Sequence, residues 1–188
     1  MIIGTLTPRD SLIPISFLKS FLSVRDYNYI IQEGPSIPLN RNQVFEQARI
    51  RKEDLLFIDS DMVFTPQNVK AIENHLKEKD IVTGVCVMSY EGHSASLFKN
   101  EDGKYKLVAP QKELFEVDAC GAAFLGISKN VLDLLVEPFE PLLDKTTGHQ
   151  HGEDISFCIR AKEAGFKIWC DPELKIGHIK SKVLYYEG

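Results

Sequence analysis

No stretch of the 188 residues approaches the roughly 18 to 20 consecutive apolar residues of a membrane-spanning helix, and Pro8, Arg9 and Asp10 interrupt the N-terminus before a hydrophobic leader can form. Neither a membrane span nor a secretion signal is expected. That points to the cytoplasm, or to a host's cytoplasm if the source is a virus. Cysteine is sparse: Cys86, Cys120, Cys158 and Cys170 stand 34, 38 and 12 positions apart, without the close pairs of a zinc site. Buried free thiols are expected, and a disulfide stays open. Positive charge is also short, with 22 Lys and Arg against 27 Asp and Glu and a net charge of -5. This argues against broad binding of nucleic acid or anionic membrane and favours a metal or small-molecule partner. Internal repeats and low-complexity tracts are absent.

What is present is enough apolar sequence, 44%, for a single domain with a full core. Ile2 to Thr7 is a β-branched run closed by Pro8 and reads as a strand. Pro14 to Val24 carries Ile15, Leu18, Phe21 and Leu22 at helical spacing, which predicts a helix with that stripe on a sheet. Tyr27 to Gln32 is a second strand ending in Glu33-Gly34-Pro35-Ser36. Asn40, as a cap, opens a helix to Ile50 with Val44, Phe45 and Ala48 inside. Thr65-Pro66 starts a third helix with Val69, Ile72 and Leu76 inward, and Ile81 to Met88 is another strand. Strand and helix thus alternate over residues 1–88 in the manner of an open, mostly parallel α/β sheet.

Residues 89–188 are less regular. Tyr90 to Asp102 reads as loop or β-ribbon, Tyr105 to Val108 as an edge strand, and Phe115 to Ile127 as one or two strands. Ser128 is expected to cap a helix to Val136. Pro141 to Gly152, with Thr146, Thr147, His149 and His151, has no periodicity and reads as a loop. Gly152-Glu153-Asp154 opens a helix with Ile155, Cys158 and Ile159 inward and a stop at Gly165. Phe166 to Cys170 and Leu174 to Ile179 are read as two further strands.

The densest chemical signal is Leu55-Leu56-Phe57-Ile58-Asp59-Ser60-Asp61-Met62-Val63. A buried strand runs into two carboxylates separated by one serine, and alternation along extended backbone would send Asp59 and Asp61 to one side, where both could serve a divalent cation. The plainer alternative is that Asp and Ser end the strand and begin a turn. Open α/β sheets bind ligands beyond the carboxyl ends of their strands. Thr7, Arg9, Glu33, Asp59 and Asp61 all fall at such ends. Glu153 and Asp154 at a helix start are explained equally well by the helix dipole, and His178 by an ordinary structural role.

In this order, the Asp-Ser-Asp segment, Gly152-Glu153-Asp154, and Gly165-Phe166-Lys167-Ile168-Trp169 with His178 beyond, the chain resembles the GT-A glycosyltransferases, especially the family-2-like inverting enzymes. Arg41-Asn42 also looks like that family's pattern, whereas Thr7-Pro8-Arg9 departs from its usual first loop. The resemblance implies a Rossmann-like open mixed, mostly parallel sheet flanked by helices. It further implies a nucleotide-binding half at 1–88 and an acceptor and catalytic half at 89–188.

The implied activity is metal-dependent transfer of a hexosyl group from a nucleotide-diphosphate donor, UDP-sugar above all, to an acceptor hydroxyl on a glycan, protein or lipid glycan. Mn or Mg would be held by Asp61 and His178, with Asp59 supporting it or touching ribose. Asp154, beside Glu153, would be the general base. Thr7, Arg9, Glu33, Arg41 and Ser60 are the remaining donor-binding candidates. An acid at Asp154 favours inversion, with retaining chemistry left open.

Two other readings compete. Phe57-Ile58-Asp59-Ser60-Asp61 also looks like the Asp-x-Asp signature of haloacid-dehalogenase-type phosphatases, in which Asp59 would be a nucleophile activated with Mg. That signature normally follows the first strand, and here two strand-helix units precede it. A non-catalytic nucleotide-sugar or glycan-binding module is the other.

Overall fold

The computed structural model describes residues 1–7, 12–88, 94–144, 148 and 150–180. Arg9, Tyr90, Thr146, Thr147 and His149 therefore lie outside the described residues. The chain order is β1 (Ile2–Thr7), α1 (Ile15–Leu22), β2 (Asn28–Glu33), α2 (Ile37–Arg51), β3 (Leu55–Ile58), β4 (Met62–Val63), α3 (Pro66–His75) and β5 (Ile81–Cys86). There follow β6 (Leu97–Glu101), β7 (Lys104–Leu107), β8 (Phe115–Val117), β9 (Ala119–Cys120), β10 (Phe124–Ile127), α4 (Lys129–Leu134), α5 (Glu153–Glu163) and β11 (Ile168–His178).

An eight-stranded sheet in the order β2-β1-β3-β10-β5-β11-β4, with β8 also on β11, forms the middle layer. The pairs β1 with β2, β1 with β3, and β5 with β11 are parallel, and β10 runs against both of its neighbours. The fold is thus mixed α/β with a mostly parallel central sheet flanked by helices. Successive residues of β3 alternate faces as a strand must. Leu55 and Phe57 join one buried cluster with Val44, Phe45 and Ala48 of α2, Val131 of α4 and Phe157 of α5. Leu56 and Ile58 join the other with Phe17 of α1 and Val69, Ile72 and Leu76 from α3 and its C-terminal end. A separate three-stranded sheet, β7-β6-β9, stands beside the main one.

Several expectations change. In α1 the buried side is Phe17 and Ser20, while Ile15, Leu18 and Leu22 face outward. Ser20 turns inward because its Oγ accepts the Phe64 backbone N–H at 3.1 Å, satisfying a buried donor. Helix α2 starts earlier than expected, capped by Ser36, whose side chain accepts from the Leu39 N–H. Asn40 is inside the helix and donates to Gly34 O at 3.0 Å instead of capping. Ser128 precedes α4 but makes no capping bond. The Lys129 N–H is taken by Asp54 Oδ1 at 2.8 Å, and Ser128 Oγ is buried with no hydrogen-bond partner among the described residues. In α5, Phe157, Cys158 and Ala161 are buried, whereas Ile155 and Ile159 are half-buried.

Phe115 to Ile127 supplies three strands, because two brief ones serve different sheets. The two expected C-terminal strands are one, β11, whose pairing with β5 shifts register between Cys170 and Lys175. The four cysteines are free and buried. No helix among the described residues is long and apolar enough to cross a membrane.

Candidate active site at the strand ends

Strands β1 and β2 end together, with Thr7 opposite Glu33, and β3 runs parallel to β1 from Leu55 opposite Ile2. Their carboxyl ends open on a cleft of about 640 Å³ lined by Thr7, Gly34, Arg41, Asp59, Ser60 and Asp61, with Leu12, Pro14, Pro35 and Ile37 as its apolar side. Gly34 packs closely there: a Cβ would stand 2.5 Å from Asn40 Oδ1, so any larger residue would have to move the Asn40 side chain. The carboxyl of Glu33 belongs to the same strand end but does not line the cleft.

Asp59-Ser60-Asp61 is a tight link between β3 and β4, not extended strand, so the two carboxylates do not simply point to one side. Backbone bonds fix it: Asp59 N–H to Ala123 O at 3.0 Å, Met62 N–H to Asp59 O at 3.1 Å, and Ile179 N–H to Asp61 O at 2.8 Å. Each carboxylate then has its own partner.

Asp59 faces Arg41. The guanidinium Nη2 lies 3.1 Å from both Asp59 oxygens, Nη1 donates to Ala122 O at 3.4 Å, and Nε reaches Glu153 Oε1 at 3.4 Å. Arg41 is only 4% exposed, and its Cζ sits 5.2 Å from the Phe57 ring centroid and 5.9 Å from that of Phe139. One buried cation thus joins the end of β3 to the start of α5. Desolvation pushes the Asp59 carboxyl above its ordinary range, Arg41 opposes the rise, and the charges of Asp61 and Glu153 add to it.

Asp61 faces His178, which lies opposite Met62 where β11 pairs with β4. His178 Nδ1 donates to Val87 O at 2.7 Å, and because a carbonyl only accepts, Nδ1 carries a proton. In the neutral ring Nε2 then presents its lone pair, 2.9 Å from Asp61 Oδ2. Two ligands about 2.1 Å from one hard cation and at right angles are about 3 Å apart, and a carbonyl on the far nitrogen is the usual way a ligating imidazole is oriented. The spacing of the pair therefore fits two ligand positions of Mn or Mg. Asp59 does not complete a three-ligand group with Asp61 and His178, its carboxylate being held by Arg41, and no cluster of three or more metal-binding side chains is found among the described residues.

Asp154 follows Glu153 in the first turn of α5. Its Oδ1 accepts the Ile155 N–H at 2.7 Å. A Cβ on Gly121 would come 2.9 Å from Ser96 Oγ and 3.8 Å from Asp154 Oδ2, so the end of β9 passes close by. Burial, then the charge of Glu153, pushes the Asp154 carboxyl upward against the Ile155 bond and the Arg41 charge. Asp154 does not itself line the strand-end cleft, but it adjoins Glu153, which reaches Arg41 there, and a raised carboxyl is suited to moving a proton.

The structure thus brings Thr7, Arg41, Asp59, Ser60 and Asp61 to one cleft, puts His178 beside Asp61, and ties Glu153 to Asp59 through Arg41. Sequence reasoning missed Phe139 and the carbonyl of Ala122 as Arg41 partners. The depth of Arg41 itself was legible, because it lies three, four and seven residues before Val44, Phe45 and Ala48 and so shares their buried stripe.

No family model matches the chain, and the comparison with curated proteins finds no match. Among solved structures it is similar in fold to A197 from STIV, with a TM-score of 0.61, 20% identity, and coverage of 100% of this chain and 98% of that one. It is also similar in fold to GalNAc-T7, crystallised with UDP, GalNAc and Mn2+, with a TM-score of 0.59 and 10% identity. There 95% of this chain is covered, and the chain spans 43% of that one. The fold is that of the GT-A-like glycosyltransferases.

Proposed function

We propose that the protein is a glycosyltransferase that moves a hexosyl group from a UDP-sugar to an acceptor hydroxyl with inversion. The observation that carries this reading is the Asp61–His178 pair at 2.9 Å beside an Asp59 locked by Arg41 at the strand-end cleft. The fold likeness to GalNAc-T7, whose structure holds UDP and Mn2+, supports it. Thr7, Ser60 and Asp59 would meet the nucleoside, with Glu33 at the same strand end and Arg9, outside the described residues, a further candidate.

Bound Mn or Mg would neutralise negative charge on the departing diphosphate. Asp154 would take the acceptor proton as that oxygen bonds the anomeric carbon and the bond to the diphosphate breaks, the electron pair leaving with UDP. Attack opposite the leaving group inverts the centre. Glu153 would act as a positioning residue, holding the start of α5 to Arg41. In this division residues 1–88 serve the donor and 89–188 the acceptor.

The phosphatase alternative fares worse, because its nucleophile would be Asp59, whose two oxygens already accept from Arg41. Calorimetry with UDP, GDP, CDP and ADP in the presence of Mn is expected to detect binding of at least UDP, and silence with all four would sink the proposal. Asp154→Asn is expected to retain UDP binding while losing transfer by a factor of at least about 100. Unchanged turnover would return Asp154 to helix capping, and donor binding without any turnover in the native protein would favour a binding module.

A further inference from the structure

A second cleft, of about 420 Å³, opens between the β6–β7 hairpin and the start of α5, and none of the roles above uses it. Its size falls within the range of small-molecule sites, about 300 to 1,000 Å³. Phe98, Tyr105 and Ile155 form its apolar side. All three are half-buried and pack against the larger core from below, so the Tyr105 ring is fixed while part of it remains open to the cleft. The His151 ring stands edge-on to the Tyr105 ring, their centroids 5.8 Å apart at 85°.

The turn that presents Tyr105 is Asp102-Gly103, with φ of 52° and 83°, the left-handed pair of a two-residue hairpin. Asn100 Oδ1 fastens it by accepting the Gly103 N–H at 2.8 Å. Lys104, Asp144 and His151 supply polar groups around the ring. Gly152 closes the cleft immediately before Glu153 and Asp154.

We propose that this cleft binds a pyranose ring, so that the acceptor is a hydroxyl of a glycan; this rests on the reading of Asp154 as the base. A fixed aromatic face beside hydrogen-bonding groups matches a sugar, which has an apolar C–H side and a rim of hydroxyls. Lys104 and Asp144 are of opposite sign, which suits an uncharged polyol, and three polar side chains suit a lipid tail poorly. Gly152 places the ring next to the carboxylate that would take its proton.

Saturation-transfer NMR with the methyl glycosides of glucose, galactose, mannose and N-acetylglucosamine tests this. At least one is expected to receive saturation at its ring C–H protons, to lose it at least fivefold in Tyr105→Ala, and to keep it in Tyr105→Phe, which retains the ring face. UDP calorimetry with Mn on the same variants checks that they are folded. Saturation of none of the four by the native protein, or equal saturation in Tyr105→Ala, would overturn the inference. So would a threonine-containing peptide that is saturated where the glycosides are not, since β7 is also a sheet edge. UDP binding with no glycoside saturated would remove this cleft's role and leave the donor reading standing. A glycoside saturated by the native protein and not by Tyr105→Ala, with no nucleotide bound by either, would do the reverse.

Discussion

The two clefts are built in opposite ways. The one at the ends of β1 and β3 is charged, and its groups come from far apart in the chain, Arg41 meeting Asp59 and Glu153, Asp61 meeting His178. The one under the β6–β7 hairpin is aromatic on one side, and its key ring follows a local turn fastened by the Asn100 side chain. Order in the first depends on balancing buried charge. In the second it depends on packing and turn geometry, so the same kind of substitution should have very different consequences in the two places.

The largest effect is expected from Arg41→Met. It leaves Asp59 and Glu153 partly buried without their cation and should cost about 3 kcal/mol, the lower end for a broken buried pair because both carboxylates keep some exposure to water. Urea unfolding measures it, and a loss under about 1 kcal/mol would mean that solvent, not Arg41, carries the balance.

Next is His178→Ala, which would remove one of the two proposed ligands and should raise the Mn concentration needed for UDP binding at least about tenfold. Calorimetry at several Mn concentrations reads it; identical curves would detach His178 from the metal. Tyr105→Ala in the other cleft should leave those curves alone.

A smaller, pH-dependent effect concerns Asp154. Its folded carboxyl titrates above the unfolded one, so between the two values the native state holds the proton more tightly, and stability falls as pH rises through that window. Asp154→Asn carries no such penalty, so its melting temperature should gain on the native protein from acid to neutral pH. A gap that does not move with pH would count against the raised carboxyl. With Asp154 as the proposed base, transfer should rise over the same window as its carboxyl loses the proton.

The smallest is Ser128→Ala. A lost helix cap would cost about 1 kcal/mol, but Ser128 Oγ is buried with no partner among the described residues, so a change within about 0.5 kcal/mol, or slight stabilisation, is expected by thermal melting.

Much of the charged cleft was legible because strand alternation and strand ends are local signals. β1 and β3 run as read, and the carboxylates fall where an open sheet gathers ligands. The pairing of those carboxylates was not legible, since whether Asp59 takes Arg41 or a metal is decided by residues brought from α2 and α5. For α1 a run of apolar residues on two faces misled. Periodicity marked Ile15, Leu18 and Leu22, whereas the buried hydrogen bond to Phe64 decided for Ser20. The hairpin had a usable signal that was passed over, Asp102-Gly103, a strong mark of a two-residue turn. The splitting of Phe115 to Ile127 into three strands had none, because strand partners in two sheets are long-range facts.

The last strand carries one more consequence. β11 lies between β5 and β4 and brings His178 to Asp61 across a sequence separation of 117 residues. During synthesis the chain can collapse around β1 to β3 early, but neither the sheet nor the Asp61–His178 pair can close until residue 178 has left the ribosome. Both buried clusters also wait for β11, which supplies Ile168 and Cys170 to one and Leu174 and Ile176 to the other. The last strand to be made therefore completes the core and the strand-end cleft in one step.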